Sequence, residues 1–397
     1  MEESRSFLER ELDAIVVCLS HAWGGLEQVV AQDVMELEQV GLRVRALVLH
    51  GSPLDQYLSK HSQVIRITLA SPPRDHFDLG MRSRIREWAQ EGVNVIHLHQ
   101  PSLLGSVVPW VMGHPQINVF ASRHIMSSHR KFTPYHHWLY RRVDALLVMS
   151  QMLRENVLQT HPIEERAVKV VNLGLDFDRF DPDRVDGRKM RTEWGATDDQ
   201  WVVGLVGRID PAKGQDTFIR AAASLSRLMD LRQFKFVIVG EETLGRTQGV
   251  LEELQDMARE LRVEEHVVFA GFHENIPEVM RSFDLLVMPS QQEAFGLVAI
   301  EALAMECPII LSRGGSASEI VGQEEFGVLM RPADAFDLAK QIQFLLERPD
   351  LREMMGKKGR DHVRRQYDRK VRLFRTLDLY ERGIRRRSRL PSRGMFR

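Results

Sequence analysis

Residues 283–315, FDLLVMPSQQEAFGLVAIEALAMECPIILSRGG, decide how this chain is read. The stretch opens on FDLLVMPS, a short, largely apolar run that stops at Pro289, the pattern of a strand buried on both faces. It closes on CPIILSRG, a second run of the same kind. Between them, Glu293 and Glu301 stand eight residues apart across AFGLVAI. On one continuous helix that separation is a rise of about 12 Å and a rotation of roughly 80°, so the carboxylates would share neither a face nor a small site. A loop-to-helix junction at Gly296 resolves the difficulty. Glu293 then sits in a loop at the mouth of a cleft and Glu301 inside the following helix, touching opposite ends of one elongated ligand; a nucleotide-sugar has that shape. Ser290-Gln291-Gln292-Glu293 also has the form of a capping box, in which Glu293 only starts a helix. Its place just past a strand's carboxyl end, where open α/β sheets bind ligands, favours the ligand reading.

Short apolar runs alternate with amphipathic stretches along the whole chain, the signature of parallel sheets covered by helices. The strand candidates of the first half are DAIVVCLS (13–20), VRALVLH (44–50), VNVIHLHQ (93–100), INVFASRH (117–124), DALLVMS (144–150) and AVKVVNLG (167–174). Those of the second are WVVGLVGR (201–208), FKFVIVGEE (234–242), HVVFAGF (266–272), and the runs 283–290 and 307–314. At 397 residues the chain exceeds one typical core, so an α/β protein of two doubly wound domains is expected. The Asp-rich stretch NLGLDFDRFDPDRVDG (172–187) reads as their connection. The expected domains are 1–175 and 185–364, with a helix at about 365–385 packing back on the first domain and a basic tail at 386–397.

Lys plus Arg number 54 against 55 Asp plus Glu, a net charge of −1, so no global field steers the chain to nucleic acid or a membrane. Cys18 and Cys307 lie in or beside apolar runs and read as buried free thiols of a reducing compartment, which makes the cytoplasm the expected location. The N-terminal MEESRSFLERELD lacks a basic-then-apolar signal pattern. SLLGSVVPWVMG (102–113) is broken by Pro109 and too short to span a bilayer, so a buried helix is expected there.

Further motifs gather at strand ends. VGRIDPAKGQD (206–216) sets Arg208 and Lys213 between a strand and an amphipathic helix, where two cations would neutralise a diphosphate. SHAWGGLEQVV (20–30) puts Gly24 and Gly25 between the first strand and first helix, where glycine lets a backbone approach phosphate, although a plain tight turn has the same look. His124 ends its strand. His97 and His99 alternate on another and so share a face, but no further ligands at metal spacing accompany them, and a structural role is expected.

Together these pieces resemble a retaining glycosyltransferase of family 4, with the GT-B architecture of two Rossmann-like domains facing a cleft. The resemblance spans nearly the whole chain and is strongest from Asn172 to Leu329. It implies that Glu293 contacts the donor sugar, Glu301 the ribose hydroxyls, and Arg208 and Lys213 the diphosphate of a nucleoside diphosphate sugar. Phe295, Gly296, Leu297 and Val298 would lie at the donor, with backbone N–H groups of a helix N-terminus facing its phosphates. It also places a His near the donor sugar at about His124, and the Gly271-Phe272 strand end near the base, although a core Phe has the same sequence look. Asp176-Phe177-Asp178 falls in an interdomain segment of the family rather than a metal site, so neither a metal nor a cofactor is expected. In GGSASE, three residues separate Gly315 from Glu319 where the family has two, and no role transfers to Glu319.

The resemblance implies transfer of a sugar to a hydroxyl acceptor, glycan or lipid-linked, in bacterial surface glycan or glycolipid synthesis. The competing readings are an epimerase or phosphorylase of the same fold, and a catalytically silent, membrane-associated binding protein. The Arg-rich ERGIRRRSRLPSRGMFR (381–397), and the basic residues and aromatics of 122–142, suit an anionic membrane surface or an anionic acceptor, and equally a solvated tail and an amphipathic helix. No RNA-binding motif is present, and no G-x-G-x-x-G follows a strand, which disfavours a nicotinamide dehydrogenase.

Overall fold

The computed structural model describes residues 2–73, 78–242, 247–290 and 295–388, with side chains described from 7 to 387. Residues up to Leu173 together with those from Lys370 onward make one compact unit, and Gly174–Arg369 the other.

The first unit carries seven parallel strands, β1 (Asp13–Cys18), β2 (Arg43–Leu49), β3 (Ile65–Leu69), β4 (Val95–Leu98), β5 (Asn118–Arg123), β6 (Ala145–Val148) and β7 (Val168–Val170), in the order β3-β2-β1-β4-β5-β6-β7. The second carries six, β8 (Trp201–Val206), β9 (Phe234–Val239), β10 (Val267–Gly271), β11 (Leu285–Met288), β12 (Ile309–Ser312) and β13 (Val328–Met330), ordered β10-β9-β8-β11-β12-β13. The chain winds outward from β1 to one edge and then crosses to β4; in the second unit it does the same at β8 and β11. Each reversal opens a crevice at the carboxyl ends of two adjacent strands, the place where such sheets take ligands. All six residues of β1 are buried, as a central parallel strand with helices on both faces requires.

Two strands are not among those expected from the sequence. The edge strand β3, IRITL, has no fully buried residue, and β13, also at an edge, is three residues long. Neither needs a continuous apolar sequence, so neither stands out from its neighbours. The helix Leu104–Val111 is buried on most of its length despite Pro109, and no helix of the described residues is long and apolar enough to cross a membrane. Both cysteines are buried free thiols.

The chain's end corrects the expectation of a tail from residue 386. One helix, Pro349–Tyr367, stops at Asp368, and a second, Arg369–Ser388, returns to the first unit. Its Tyr380 is fully buried with its ring centroid 4.9 Å from that of Phe120 on β5. Arg386 and Arg387 both bind Asp144, the latter at 2.7 Å, so these two arginines extend a docked helix. Arg389, Arg393 and Arg397 lie outside the described residues.

Candidate functional site

The crevice at the carboxyl ends of β8 and β11 is an open pocket lined by Gly207, Arg208 and Lys213 on one side and by Met288, Ser290, Gly296, Leu297 and Val298 on the other. Three pieces of local structure build it. After β8 the chain is held to β9 and the residues beyond it by Gly207 N–H to Val239 O (2.9 Å) and Ile209 N–H to Glu241 O (2.9 Å). Buried Gln215 donates from Nε2 to the Arg208 carbonyl at 2.8 Å, fixing the backbone from which the exposed guanidinium projects. Lys213 ends a short 3₁₀ turn capped by Asp210, and the turn passes to the helix Gln215–Leu225 through Gly214 at φ +76°. A Cβ on Gly214 would lie 2.6 Å from the Pro289 carbonyl, so glycine is required both by the backbone angle and by the approach of the β11 loop.

Across the crevice the helix Leu297–Ala304 begins at Gly296, whose φ of +80° is the left-handed turn that glycine allows. This is the loop-to-helix junction expected from the spacing of the two glutamates. The first-turn N–H groups of Leu297 and Val298 precede the intrahelical hydrogen-bond pattern and carry the positive end of the helix dipole. They line the same pocket as Arg208 and Lys213, and that combination of two cations and a helix N-terminus is suited to a diphosphate.

Glu301 follows one turn later. It is half-buried, and burial pushes its carboxyl up to about 7, against the lowering influence of Arg179. Near neutral pH it therefore moves between hydrogen-bond acceptor and donor. Glu293 and the capping-box alternative through Gln291 and Gln292 lie outside the described residues. Phe295 is buried edge-on against Tyr367, ring centroids 5.7 Å apart, and its backbone carbonyl accepts from the buried Ser316 hydroxyl at 2.6 Å. Its side chain supports the loop from behind. Phe272, read from sequence as a core side chain ahead of a donor contact, is instead 68% exposed at the end of β10. The pocket-lining residues do not include it.

A second hollow continues from the pocket past Ser290 and Gly296 to Ser312, Gly314, Ser316 and Ala317. Sequence reading marked the GGSASE motif in this loop but gave its residues no ligand role, because its spacing departs from the family's. Glu319 stands in the short helix Ala317–Val321. Asp176 and Asp178 both face Arg369, at 2.7 and 3.7 Å, as a structural ion pair.

In the first unit, Gly24 caps the helix Gly25–Gln39 at the carboxyl end of β1, and its N–H donates to Glu27 Oε2 at 2.8 Å. A Cβ on Gly25 would meet nothing within 4 Å, and one on Gly24 only the Glu27 carboxylate at 3.5 Å. The fold itself therefore makes no demand for glycine at either place. Gln100 bridges the crevice between β1 and β4 by accepting from Leu19 N–H at 2.7 Å. His124 stacks on His99 with ring centroids 5.6 Å apart, and His99 on His97 at 4.5 Å, so the two alternating histidines do share a face. His97 is structural, bonded at its two ring nitrogens to Tyr380 (2.6 Å) and Ser122 (2.8 Å). Burial and then Arg372 push His124 down to about 3, which keeps it neutral at pH 7, and its buried Nε2 has no hydrogen-bond partner among the described residues.

Comparison with known proteins follows this division. Residues 186–362 match the family model described as glycosyl transferases group 1, and residues 23–179 match that of glycosyltransferase family 4. A D-inositol 3-phosphate glycosyltransferase of Saccharomonospora viridis is 30% identical over 225 residues, 56% of this chain and 52% of that protein. One from Corynebacterium jeikeium is 33% identical over 224 residues, 55% of this chain and 53% of its own length. The chain thus spans about half the length of the curated relatives it matches. Among solved structures, a glycosyltransferase from Rickettsia africae superposes with a TM-score of 0.84 at 19% identity, covering 94% of this chain and 99% of that one. Anabaena Alr3699/HepE in complex with UDP and glucose gives a TM-score of 0.74 at 20% identity, covering 92% and 98%. At these identities the structures are alike in fold, the GT-B arrangement of two Rossmann-like domains.

Proposed function

The chain belongs to the group 1, family 4 glycosyltransferases, and from that premise we propose that it moves a sugar from a nucleoside diphosphate sugar to a hydroxyl acceptor with retention of anomeric configuration. The observation that carries the reading is the convergence of Arg208, Lys213 and the first-turn amides of Leu297 and Val298 on one pocket at the β8/β11 crevice. A solved relative in fold, Anabaena Alr3699/HepE, holds UDP-glucose, which supports a nucleotide-sugar here as the donor.

In this reading the bond from the anomeric carbon to the departing diphosphate oxygen breaks as charge accumulates on the phosphates. Arg208, Lys213 and the helix-end amides meet that charge where it develops, the interaction that lowers a barrier rather than merely tightening binding. The acceptor oxygen attacks from the leaving-group face, so the nearest base for its proton is the departing phosphate oxygen itself. Glu293 orients the sugar, Glu301 accepts from the ribose hydroxyls, and neutral His124 offers an unpartnered ring nitrogen to the sugar. Gly24 and Gly25, lacking side chains, let the backbone approach the phosphates of the donor. Arg382 and Arg385, exposed near the end of the last described helix, would favour a peripheral attachment to an anionic membrane surface and thus a surface-glycan or glycolipid product.

The test is the anomeric proton of the product, followed by NMR during turnover with a nucleotide-sugar and an accepted alcohol. Retained configuration agrees with the proposal. An inverted product, turnover without any acceptor, or a requirement for inorganic phosphate as co-substrate contradicts it.

A further inference from the structure

A hollow of about 870 Å³ opens at the amino ends of β6 and β7, on the edge of the first sheet opposite its carboxyl-end crevice. Small-molecule sites have volumes of roughly 300–1,000 Å³. Three pieces of chain enclose it: residues 141–145 leading into β6, residues of the stretch 162–169 leading into β7, and the returning helix at Arg382, Gly383, Arg386 and Arg387. The helix lies close to the sheet here, since a Cβ on Gly383 would stand 2.9 Å from Asn118 Oδ1 and 3.1 Å from Phe120 Cζ. Arg387 is fixed against the same wall, donating from Nε to Asn118 Oδ1 at 2.8 Å and from Nη1 to the Pro115 carbonyl at 2.6 Å.

Seven of the lining side chains are cationic and two, Asp144 and Glu164, are acidic, so the occupation of those two decides the balance of charge. Asp144 accepts from Val119 N–H (2.8 Å), Arg142 Nη1 (3.2 Å) and Arg386, and both its oxygens accept from Arg387 Nη2 (2.7 and 2.8 Å). A carboxylate presents about four lone pairs, so this one is saturated, and its single charge balances only one of the three guanidiniums on it. Glu164 is taken by Arg166 at 2.5 Å, and Arg382 by Asp378 at 2.9 Å. Arg141 and Lys169 are exposed and have no acidic partner among the described residues. Each has an ordinary place by itself: Arg141 follows the helix Pro134–Tyr140, whose negative end favours a cation, and lysine suits an edge strand such as β7. Neither reason brings both to one hollow with three guanidiniums crowded on a single carboxylate.

We infer that this hollow binds a small soluble polyanion carrying two or more phosphate groups, held by Arg141 and Lys169 on the sheet side and by Arg386 and Arg387 on the helix side. Guanidiniums pair with phosphate oxygens through parallel hydrogen bonds, and cations spread over three pieces of chain need an anion charged at several points. A hollow walled on three sides surrounds such a molecule, where a flat bilayer surface would meet only its rim. The bound anion ties the end of the returning helix to the segments that lead into β6 and β7, and so stabilises the docked helix. Nothing in this depends on the glycosyltransferase reading.

The probe is inorganic tripolyphosphate, titrated calorimetrically into an Arg208→Gln/Lys213→Gln background so that the crevice of the second unit does not compete. It should bind, and adding Arg141→Gln/Lys169→Gln should weaken it at least tenfold with Tm unchanged, both side chains being exposed. Removing two charges around β2 and β3 instead, by Lys60→Gln/Arg43→Gln, should weaken it less than twofold. In the otherwise unmodified chain, amide hydrogen exchange across 378–387 should slow when tripolyphosphate is added, and should not respond in Arg141→Gln/Lys169→Gln. No binding, binding that survives loss of Arg141 and Lys169, or equal weakening by the two charge-removing pairs overturns the site, the last showing only a diffuse positive surface. Binding to phosphatidylglycerol vesicles that requires Arg141 and Lys169, without binding of tripolyphosphate, overturns it in favour of a membrane-facing patch.

Discussion

Arg372 and Asp33 form a bidentate ion pair inside the first unit, Nε to Oδ1 at 2.8 Å and Nη2 to Oδ2 at 2.7 Å, with both side chains buried. The pair ties the returning C-terminal helix Arg369–Ser388 to the helix Gly25–Gln39 that follows β1. Removing one partner leaves an uncompensated buried charge, so Arg372→Met should lower stability by about 3 to 5 kcal/mol. The double variant Arg372→Met/Asp33→Asn should recover a substantial part of that loss in urea unfolding. A single variant as stable as the parent would show that the ion pair does not hold the helix in place.

The histidine stack near this pair makes the first unit sensitive to acid. Burial lowers His97 to about 4, His99 well below its ordinary value and His124 to about 3. Since the folded values lie below the unfolded 6.5, the unfolded chain takes up protons first as pH falls. The stability from these neutral rings is fully present above pH 6.5 and is lost as pH falls through the folded values. Neither ring nitrogen of His99 has a hydrogen bond among the described residues, Nε2 standing 3.5 Å from Asp33 Oδ2, so His99→Phe keeps the stack and removes one titrating group. Thermal melts from pH 7.5 to 4.5 should fall less steeply in His99→Phe than in the parent.

Glu301 titrates in the opposite sense. Its folded value near 7 exceeds the unfolded 4.5, so it is stabilising when protonated, and that contribution is lost as pH rises from 4.5 through 7. Glu301→Gln should therefore leave Tm unchanged near pH 4.5 and raise stability at pH 8 by about 2 kcal/mol, a figure reduced for the group's partial exposure. Nucleotide affinity should move the other way. In the parent it should increase as pH rises through 7 and Glu301 becomes a full acceptor for ribose hydroxyls, and in the Gln variant it should be weak and flat with pH.

Gly214 links the Lys213 turn to Pro289, and this contact couples the two sides of the pocket. Gly214→Ala forces a Cβ to within 2.6 Å of the Pro289 carbonyl at a φ of +76°. It should cost about 1 to 3 kcal/mol of stability and weaken nucleotide binding at least tenfold without removing any ligand contact. Undiminished binding in a destabilised variant would show that the pocket does not depend on this approach.

Much of this was legible in the sequence because it follows from strand ends. The apolar runs of β1, β8, β11 and β12 announce buried parallel strands, and motifs immediately after them fall at the crevices by topology alone. The eight-residue spacing of Glu293 and Glu301 called for a junction at Gly296, and the left-handed glycine and the helix start at Leu297 meet it. What escaped depends on contacts distant in sequence. The docking of Arg386 and Arg387 on Asp144 looked like a tail because its partner lies about 240 residues away. The edge strand β3 shows no apolar run because none of its five residues is buried.

The central claim is that the β8/β11 pocket binds a nucleoside diphosphate through Arg208 and its neighbours. Calorimetric titration of UDP, GDP and ADP, with and without a divalent metal, into the unmodified chain and into Arg208→Ala is the direct test. The account predicts metal-independent binding of one of the three, weakened at least tenfold in an Arg208→Ala variant whose melting temperature is unchanged. Absence of binding by all three, or equal affinity in the variant, would contradict it.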